Sequence, residues 1–181
     1  LAIHLIVAFI ILSLILWSYF KINVSIIRIR KIQSKLPLLF IFLLFFQIII
    51  GAFVSGMDAG TIYNSWPLLG TSYFPDDNNF SSLFKLSALS DPSLVQFIHR
   101  NLAYLILIFY LIILLDVYKK KLNEFYYPIN IIGLFLFFQI ILGVLTLLYG
   151  AQIFYASMHQ ICSIFLVSTS IYFLYLNSNT N

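Results

Sequence analysis

The stretch LFFQIIIG, from Leu44 to Gly51, returns almost unchanged as LFFQIILG from Leu136 to Gly143. Seven of the eight positions coincide, and each copy is followed by an apolar segment that carries one histidine. The glutamine and the glycine stay in register, which favours a true internal repeat over chance similarity between segments rich in Ile and Phe. The pattern therefore predicts two copies of one helical hairpin, related by an axis along the membrane normal.

The composition places these hairpins in a membrane. Of 181 residues, 62% are hydrophobic and only 9% are charged, with a mean hydropathy of +1.01. A soluble domain of this size needs a more highly charged surface, and a run of about 20 apolar residues crosses about 30 Å of hydrocarbon. The sequence predicts an all-α polytopic membrane protein with five spans: Leu1–Phe20, Leu36–Val54, Leu94–Leu115, Ile129–Tyr149 and Ile153–Leu176.

The charges between the spans predict their orientation. Residues 21–35 include five Lys and Arg residues, and three consecutive lysines stand at 119–121, whereas residues 55–93 include four Asp residues and one Lys. Basic loops stay in the cytoplasm, so the first, third and fifth spans run inward and 55–93 is an outer loop. The net charge of +4 comes from these inner loops, and the chain has no basic surface interleaved with aromatics that would indicate a nucleic-acid partner.

The chain has three histidines, and each lies a few residues inside the outer end of a separate span: His4, His99 and His159. An imidazole in hydrocarbon persists mainly when its lone pair is engaged. His99 and His159 are each about 8 Å deep on repeat-related helices, at about 1.5 Å per residue. This arrangement predicts one haem iron held from both sides, which leaves no vacancy for oxygen and suits electron transfer or a structural role. The alternatives are hydrogen-bonded core histidines and, less favoured for want of further ligands, zinc.

Other polar residues lie beside these histidines. Gln47 with Gly51, and Gln139 with Gly143, are pairs one helical turn apart on a single face. We expect each glycine to make room for a flat ligand and each glutamine to offer a hydrogen bond to it, although ordinary packing of small residues between helices gives the same pattern. Arg100 follows His99 and either extends to the membrane surface or, as we favour, pairs with a haem propionate.

Four motifs connect the chain to a known family. They are GMDAGTIYNSWPL from Gly56 to Leu68, VQFIHRNLAY from Val95 to Tyr104, QIILGVLTLLY from Gln139 to Tyr149 and ASMHQ from Ala156 to Gln160. With these motifs the chain resembles the haem A synthase family of the mitochondrial and alphaproteobacterial type. The opening LAIHL is similar to the fourth span of that family, so the likeness runs nearly from end to end.

The resemblance implies an eight-span membrane oxidoreductase built from two four-helix halves, which oxidises a methyl group of haem O to the formyl group of haem A for terminal oxidase assembly. Residues 1–20 are then the last helix of the first half and 21–35 a cytoplasmic loop. Residues 36–176 form the second-half bundle, with outer loop 55–93, and 177–181 form a tail. The chain opens within a hydrophobic run, so we expect the carboxy-terminal five-span part of a longer protein.

The same resemblance implies the roles of the site residues. His99 and His159 become the axial ligands of a haem b, and His4 serves the substrate haem. The catalytic residues are expected mainly in the first half, so this part is expected to be inactive alone.

The implied partners are haem O, an unidentified electron-transfer partner and the lipid bilayer, with haem O synthase and a second copy of the chain as further candidates. The implied location is the bacterial inner membrane, or the mitochondrial inner membrane in a eukaryote. Two other readings stay open: a bis-histidine membrane cytochrome b that carries electrons without carbon chemistry, and a haem carrier.

Overall fold

A computed structural model describes residues 2–24, 32 and 35–178, and within them the chain is helical. Each of the five long helices has the length and apolar composition to cross a membrane. The predicted all-α polytopic membrane fold is thereby confirmed. The helices are α1 (Ala2–Asn23), α2 (Leu36–Gly56), α3 (Pro92–Lys119), α4 (Tyr126–Leu148) and α5 (Ile153–Ser178).

The helix ends differ from the predicted spans where local chemistry extends the helix. α3 begins at Pro92 because the side chain of Asp91 caps it, accepting a hydrogen bond from the Leu94 N–H, and proline is well suited to the first helical position. α1 continues to Asn23 and carries Lys21 in its last turn, where a cation complements the helix dipole. Most of the predicted inner loop, including three of its five basic residues, lies outside the described residues.

The helices form a closed ring with one helix outside it. α2 packs against α3 and α4 against α5, while contacts of α3 with α4 and of α2 with α5 close the bundle. α1 lies outside, along α2 and α5, where Phe9 packs in a cluster with Ile41, Val167 and Ile171. The arrangement is therefore a four-helix bundle with an additional helix in one outer groove.

Most of the core fills the half of the bundle nearest the lysine-rich ends. Tyr110 of α3 approaches α4 so closely that a side chain at Gly133 would collide with its hydroxyl group. The other half of the bundle has fewer fully buried apolar residues and contains the histidines. The inner core includes Phe40, Leu43, Leu44, Ile106, Tyr110, Ile113, Ile129, Ile132 and Phe173.

The loops at the two ends are attached in different ways. At the inner end, the side-chain amide of Asn177 accepts a hydrogen bond from the Ile32 N–H at 2.8 Å and donates one to its carbonyl at 3.4 Å. At the outer end, the connection from α2 to α3 is compact and includes three short 3-10 helices, Ala59–Thr61, Phe80–Phe84 and Leu86–Ser90. This outer connection lies next to the histidines.

Candidate functional site

His99 and His159 occupy equivalent positions near the outer end of the bundle. His99 is the eighth residue of α3 and His159 the seventh of α5, so both lie about 10 Å along their helices at 1.5 Å per residue. Both side chains are partly buried, and the Nδ1 atom of each is fully enclosed.

A glutamine of the preceding helix contacts each imidazole. The amide nitrogen of Gln47 lies 3.3 Å from Nε2 of His99, and the amide nitrogen of Gln139 lies 3.3 Å from Nε2 of His159. Gln47 also donates to the backbone carbonyl of His99 at 3.1 Å. The predicted i and i+4 pairs thus face the histidines, and the repeat seen in the sequence is repeated in these contacts.

A glycine one turn further along completes each site. A Cβ atom at Gly51 would stand 3.0 Å from Cε1 of His99, and one at Gly143 would stand 3.1 Å from Cε1 of His159. Contacts this short between a Cβ and a ring atom are uncommon, so any residue other than glycine would push the imidazole edge away from the neighbouring helix. We call each set of histidine, glutamine and glycine a cradle.

Five buried polar side-chain atoms in the described part of the chain lack hydrogen-bond partners. They are Oε1 of Gln47, Gln96 and Gln139 and Nδ1 of His99 and His159. Leaving a buried polar group unpaired costs about 1–3 kcal/mol, and native proteins concentrate such exceptions at functional sites. Four of the five atoms belong to the cradles, which indicates a ligand-binding region.

The donor set fits a metal within a macrocycle better than a bare ion. Among the described residues, no group of three or more His, Cys, Asp or Glu side chains comes together. A protein zinc site uses at least three such ligands, whereas a haem iron needs only two axial ones. Two imidazoles on facing helices of a bundle therefore fit haem.

Arg100 lies against the outer connection. Its Nη1 donates to the carbonyl of Leu68 at 3.1 Å and its Nη2 to the carbonyl of Tyr63 at 3.2 Å, and Gln96 donates to the same Tyr63 carbonyl at 3.1 Å. A guanidinium has five N–H donors, so these two bonds leave others for the predicted propionate. Holding this loop is a role that the sequence analysis did not anticipate.

The outer connection covers this end of the bundle through further side-chain bonds. Trp66 Nε1 donates to the hydroxyl oxygen of Tyr104 at 3.2 Å, and the Tyr73 hydroxyl donates to Oδ1 of Asn101 at 2.6 Å. Asn64 donates to the carbonyl of Leu147 at 2.9 Å, which ties the connection to the end of α4. Trp66 and Tyr73, aromatic residues of a type common at membrane interfaces, therefore also hold the outer connection to α3.

The sequence analysis missed Gln96 and Tyr104 as site-forming residues. With Arg100 they form a polar stripe at positions i, i+4 and i+8 of α3. This spacing places them on one face, so the signal was present in the sequence.

Asp77 fixes the outer connection to the start of α3. Its carboxylate accepts hydrogen bonds from the Tyr63 hydroxyl at 3.0 Å and the Ser93 hydroxyl at 2.6 Å. Desolvation acts to raise the pKa of Asp77, but the hydrogen bonds from Ser93, Tyr63 and Asn78 outweigh it and hold the pKa below its ordinary value. Desolvation, together with the bond to Asp77, raises the pKa of Tyr63.

His4 lies apart from the two cradles. Its side chain is exposed on α1, whereas Leu5 and Phe9 of the same helix pack toward α2 and α5. The structure thus brings His99, His159, Gln47 and Gln139 into two matching contacts and leaves His4 on a free face of α1.

Comparison with known proteins agrees with this picture. Residues 1–171 match the family model described as cytochrome oxidase assembly protein. The chain is 43% identical to the haem A synthase of Pelagibacter ubique over 183 residues, covering 99% of this chain and 53% of that protein. It is 40% identical to the haem A synthase of Rickettsia felis over 182 residues, covering 95% of this chain and 52% of that protein.

The chain spans about half the length of these relatives. No solved structure matches it. The family match covers nearly the whole chain, and the resemblance read from the four motifs is confirmed. The chain therefore belongs to the cytochrome oxidase assembly protein family, as a part similar to the haem A synthases.

Proposed function

We propose that this chain is the haem b-binding second half of a haem A synthase, a membrane oxidoreductase that oxidises a methyl group of haem O to a formyl group. The observation that carries the proposal is the duplicated cradle, in which two enclosed imidazoles meet matching glutamine and glycine residues on facing helices. The names of the relatives supply the product, haem A, and the resemblance described above implies the substrate, haem O.

His99 and His159 are the proposed axial ligands of the haem b iron. A haem held by these two imidazoles would supply one-electron transfer and no oxygen activation. The chain's own residues orient the imidazoles through Gln47 and Gln139 and leave room for the ring edges at the two glycines. These glutamines also border the space for the macrocycle, as the sequence analysis proposed.

The outer connection is proposed to close the haem site from outside. Arg100 holds the connection through two backbone carbonyls and uses its remaining N–H groups on a propionate, for which a guanidinium is a good partner. Trp66 and Tyr73 hold the rest of this cover against α3 and exclude water from the site.

His4 is proposed to serve the substrate haem O on the free face of α1. In this proposal α1 is the last helix of the first half and α2–α5 form the second, so the chain alone does not catalyse the reaction. The full-length enzyme lies in the bacterial inner membrane, receives haem O from haem O synthase and passes electrons to a separate partner. A second copy of the chain is the proposed oligomeric partner.

Replacement of the ligands in the full-length protein tests the haem assignment. His99→Ala and His159→Ala each remove one imidazole, and we expect either change to abolish the low-spin haem b signal in optical and electron paramagnetic resonance spectra. His4→Ala is the matched control, because it should keep that signal while reducing turnover. An unchanged signal in both ligand variants would overturn the assignment.

The product separates the synthase from a membrane cytochrome b with the same ligands. Membranes containing the full-length protein are supplied with haem O, and the extracted pigments are separated by chromatography. Haem A that appears only with the active protein supports the synthase. Haem b as the sole extracted pigment, with haem O unchanged, supports the electron-carrying cytochrome.

A further inference from the structure

The orientation of the Gln47 amide is fixed by the backbone carbonyl of His99. Its amide nitrogen lies 3.1 Å from the backbone carbonyl oxygen of His99 and 3.3 Å from Nε2 of the same residue. A carbonyl oxygen only accepts, so the atom beside it must be the amide NH2 group, whose second hydrogen is directed to the ring. The Gln47 side chain therefore donates to Nε2 of His99.

A donor beside Nε2 selects one form of the histidine. A neutral imidazole carries its proton on one nitrogen and a lone pair on the other, and the partner of each nitrogen decides which form is present. Donation from Gln47 requires the lone pair on Nε2 and the proton on Nδ1. The Gln139 amide nitrogen stands at the same 3.3 Å from Nε2 of His159 and in this orientation favours the same form, without the second bond that anchors Gln47.

We infer that Gln47 and Gln139 are positioning residues that hold His99 and His159 in the tautomer ready to bind iron, and that each gives up its hydrogen bond when the iron takes the Nε2 lone pair. The inference rests on the proposed function, in which both histidines are axial ligands. No proton has to leave the ring, since Nδ1 keeps its hydrogen throughout. One N–H···N hydrogen bond is exchanged for one coordination bond that uses the same electron pair.

The unpaired amide oxygens support a functional role for the glutamines. Oε1 of Gln47 and Oε1 of Gln139 are buried without partners, an expense that an apolar residue would avoid. A glutamine kept only for packing would gain from replacement by leucine, yet both copies of the repeat retain glutamine. Gln47 makes two hydrogen bonds to His99 and Gln139 makes one to His159, so we expect the stronger effect at His99.

Two substitutions at one position separate the chemical role from the packing role. Gln47→Glu keeps the shape but replaces the donor with an acceptor, which holds the ring proton on Nε2 and blocks its lone pair. Gln47→Leu removes the hydrogen bond without favouring either tautomer. A role in packing alone predicts the larger defect for leucine, whereas the tautomer role predicts it for glutamate.

The measurement is the rate at which haemin restores the low-spin signal to the full-length protein in membranes from haem-deficient cells. We expect Gln47→Glu to slow loading by about tenfold or more, as is typical for residues that orient metal ligands, and Gln47→Leu to slow it less. Gln139→Glu should likewise load more slowly than Gln139→Leu, with a smaller difference between the two rates. Gln152→Glu, at an exposed position before α5, is the control and should load at the native rate.

Equal loading by the glutamate variant and the native protein, or slower loading by leucine than by glutamate, would overturn the inference. If Gln47→Glu fails to accumulate, the Gln139 pair gives the same comparison. Rejection of the inference is distinct from failure of the proposed function, because in the latter case the low-spin signal would survive His99→Ala. A signal that depends on His99 but loads equally fast in all glutamine variants rejects the tautomer role alone.

Discussion

Gly51 and Gly143 stand at the points where α2 and α4 come closest to the imidazoles. At either position a methyl group would meet the ring of the neighbouring histidine at 3.0 or 3.1 Å. Gly56 lies in the same helix as Gly51, but a Cβ atom there would meet nothing within 4 Å. The same substitution thus has opposite consequences at positions five residues apart.

We expect Gly51→Ala and Gly143→Ala to destabilise the protein and shift the low-spin haem signal. The overpacking penalty is typically about 1–3 kcal/mol and exceeds the gain of about 1 kcal/mol from replacing a helical glycine with alanine. The imidazole must move to accommodate the methyl group, which would change its orientation at the proposed haem iron. Thermal unfolding followed by intrinsic fluorescence, together with electron paramagnetic resonance of the full-length protein, measures both effects.

Gly56→Ala is the control for this experiment and should leave both the unfolding midpoint and the signal unchanged or slightly improved. If Gly51→Ala behaves like Gly56→Ala, the close approach of the ring to α2 is not what positions His99.

The sequence predicted which residues share a helix face but not which atoms of neighbouring helices are in contact. The i and i+4 spacing placed Gln47 and Gly51 on one face, and the structure confirms that they share a neighbour. The structure adds contacts between the glutamine amides and the imidazoles that the sequence did not indicate, and the expected contact of these glutamines with the macrocycle stays a prediction. The register between two helices decides this, and residue spacing within one helix carries no information about it.

At the scale of elements, the outer connection is held by side chains that bond to backbone carbonyls as well as to other side chains. Arg100 and Gln96 both reach the carbonyl of Tyr63, a group that every residue possesses. The polar stripe on α3 was therefore visible in the sequence, but its partners were not. The start of α3 was also predicted only in part. Hydropathy alone placed it at Leu94, and Asp91 is recognisable as the cap only once the helix is known to begin at Pro92.

Asp77 should make the attachment of this connection depend on pH. The pKa of Asp77 in the folded protein lies below its ordinary value. Its contribution to the stability of this attachment is therefore complete above the pKa of Asp in the unfolded chain, about 3.9, and is lost as the pH falls through the lower pKa of the folded protein. At pH 7, Asp77→Asn should speed hydrogen exchange in residues 60–78 about fivefold. This factor corresponds to a loss of about 1 kcal/mol in the free energy of local opening, the typical value of a hydrogen bond to an exposed charge.

Hydrogen exchange measured by mass spectrometry checks this expectation over a series of acidic pH values. The difference between the native protein and Asp77→Asn should shrink as Asp77 becomes protonated. Asp58→Asn is the matched control, since Asp58 is exposed in the same connection and asparagine tolerates its positive φ of 51°. A constant difference down to the lowest pH would show that the charge of Asp77 is not what holds the loop.

At the scale of the whole molecule, the repeat explains why two hairpins of similar sequence can place two histidines alike. In the predicted orientation each hairpin runs outward and then inward, which puts its histidine near the outer end of the inward helix. Chain length and hydropathy sufficed to predict these spans, because a membrane-crossing helix must be apolar over about 20 residues. Their closure into a four-helix bundle with one additional helix was also predicted, whereas the position of α1 along α2 and α5 depends on packing that no single span reveals.

The equivalence of the two cradles requires that the connection from α2 to α3 and the turn from α4 to α5 lie on the same side of the membrane. Basic residues at the other ends of the helices place that side away from the cytoplasm. We therefore expect Asn79→Cys, in the exposed outer connection, to react with an impermeant maleimide in intact cells. Asn123→Cys, exposed between α3 and α4, should react only after the membrane is opened.

The native protein provides the background for this measurement, because its single cysteine, Cys162, is buried in α5. Mass spectrometry or a gel shift gives the labelled fraction of each variant with and without permeabilisation. Labelling of Asn123→Cys in intact cells, with Asn79→Cys protected, would reverse the orientation of all five helices. The cradles would then open toward the cytoplasm. The proposed haem b site and the proposed haem O site at His4 would both have to be assigned to the opposite face of the membrane.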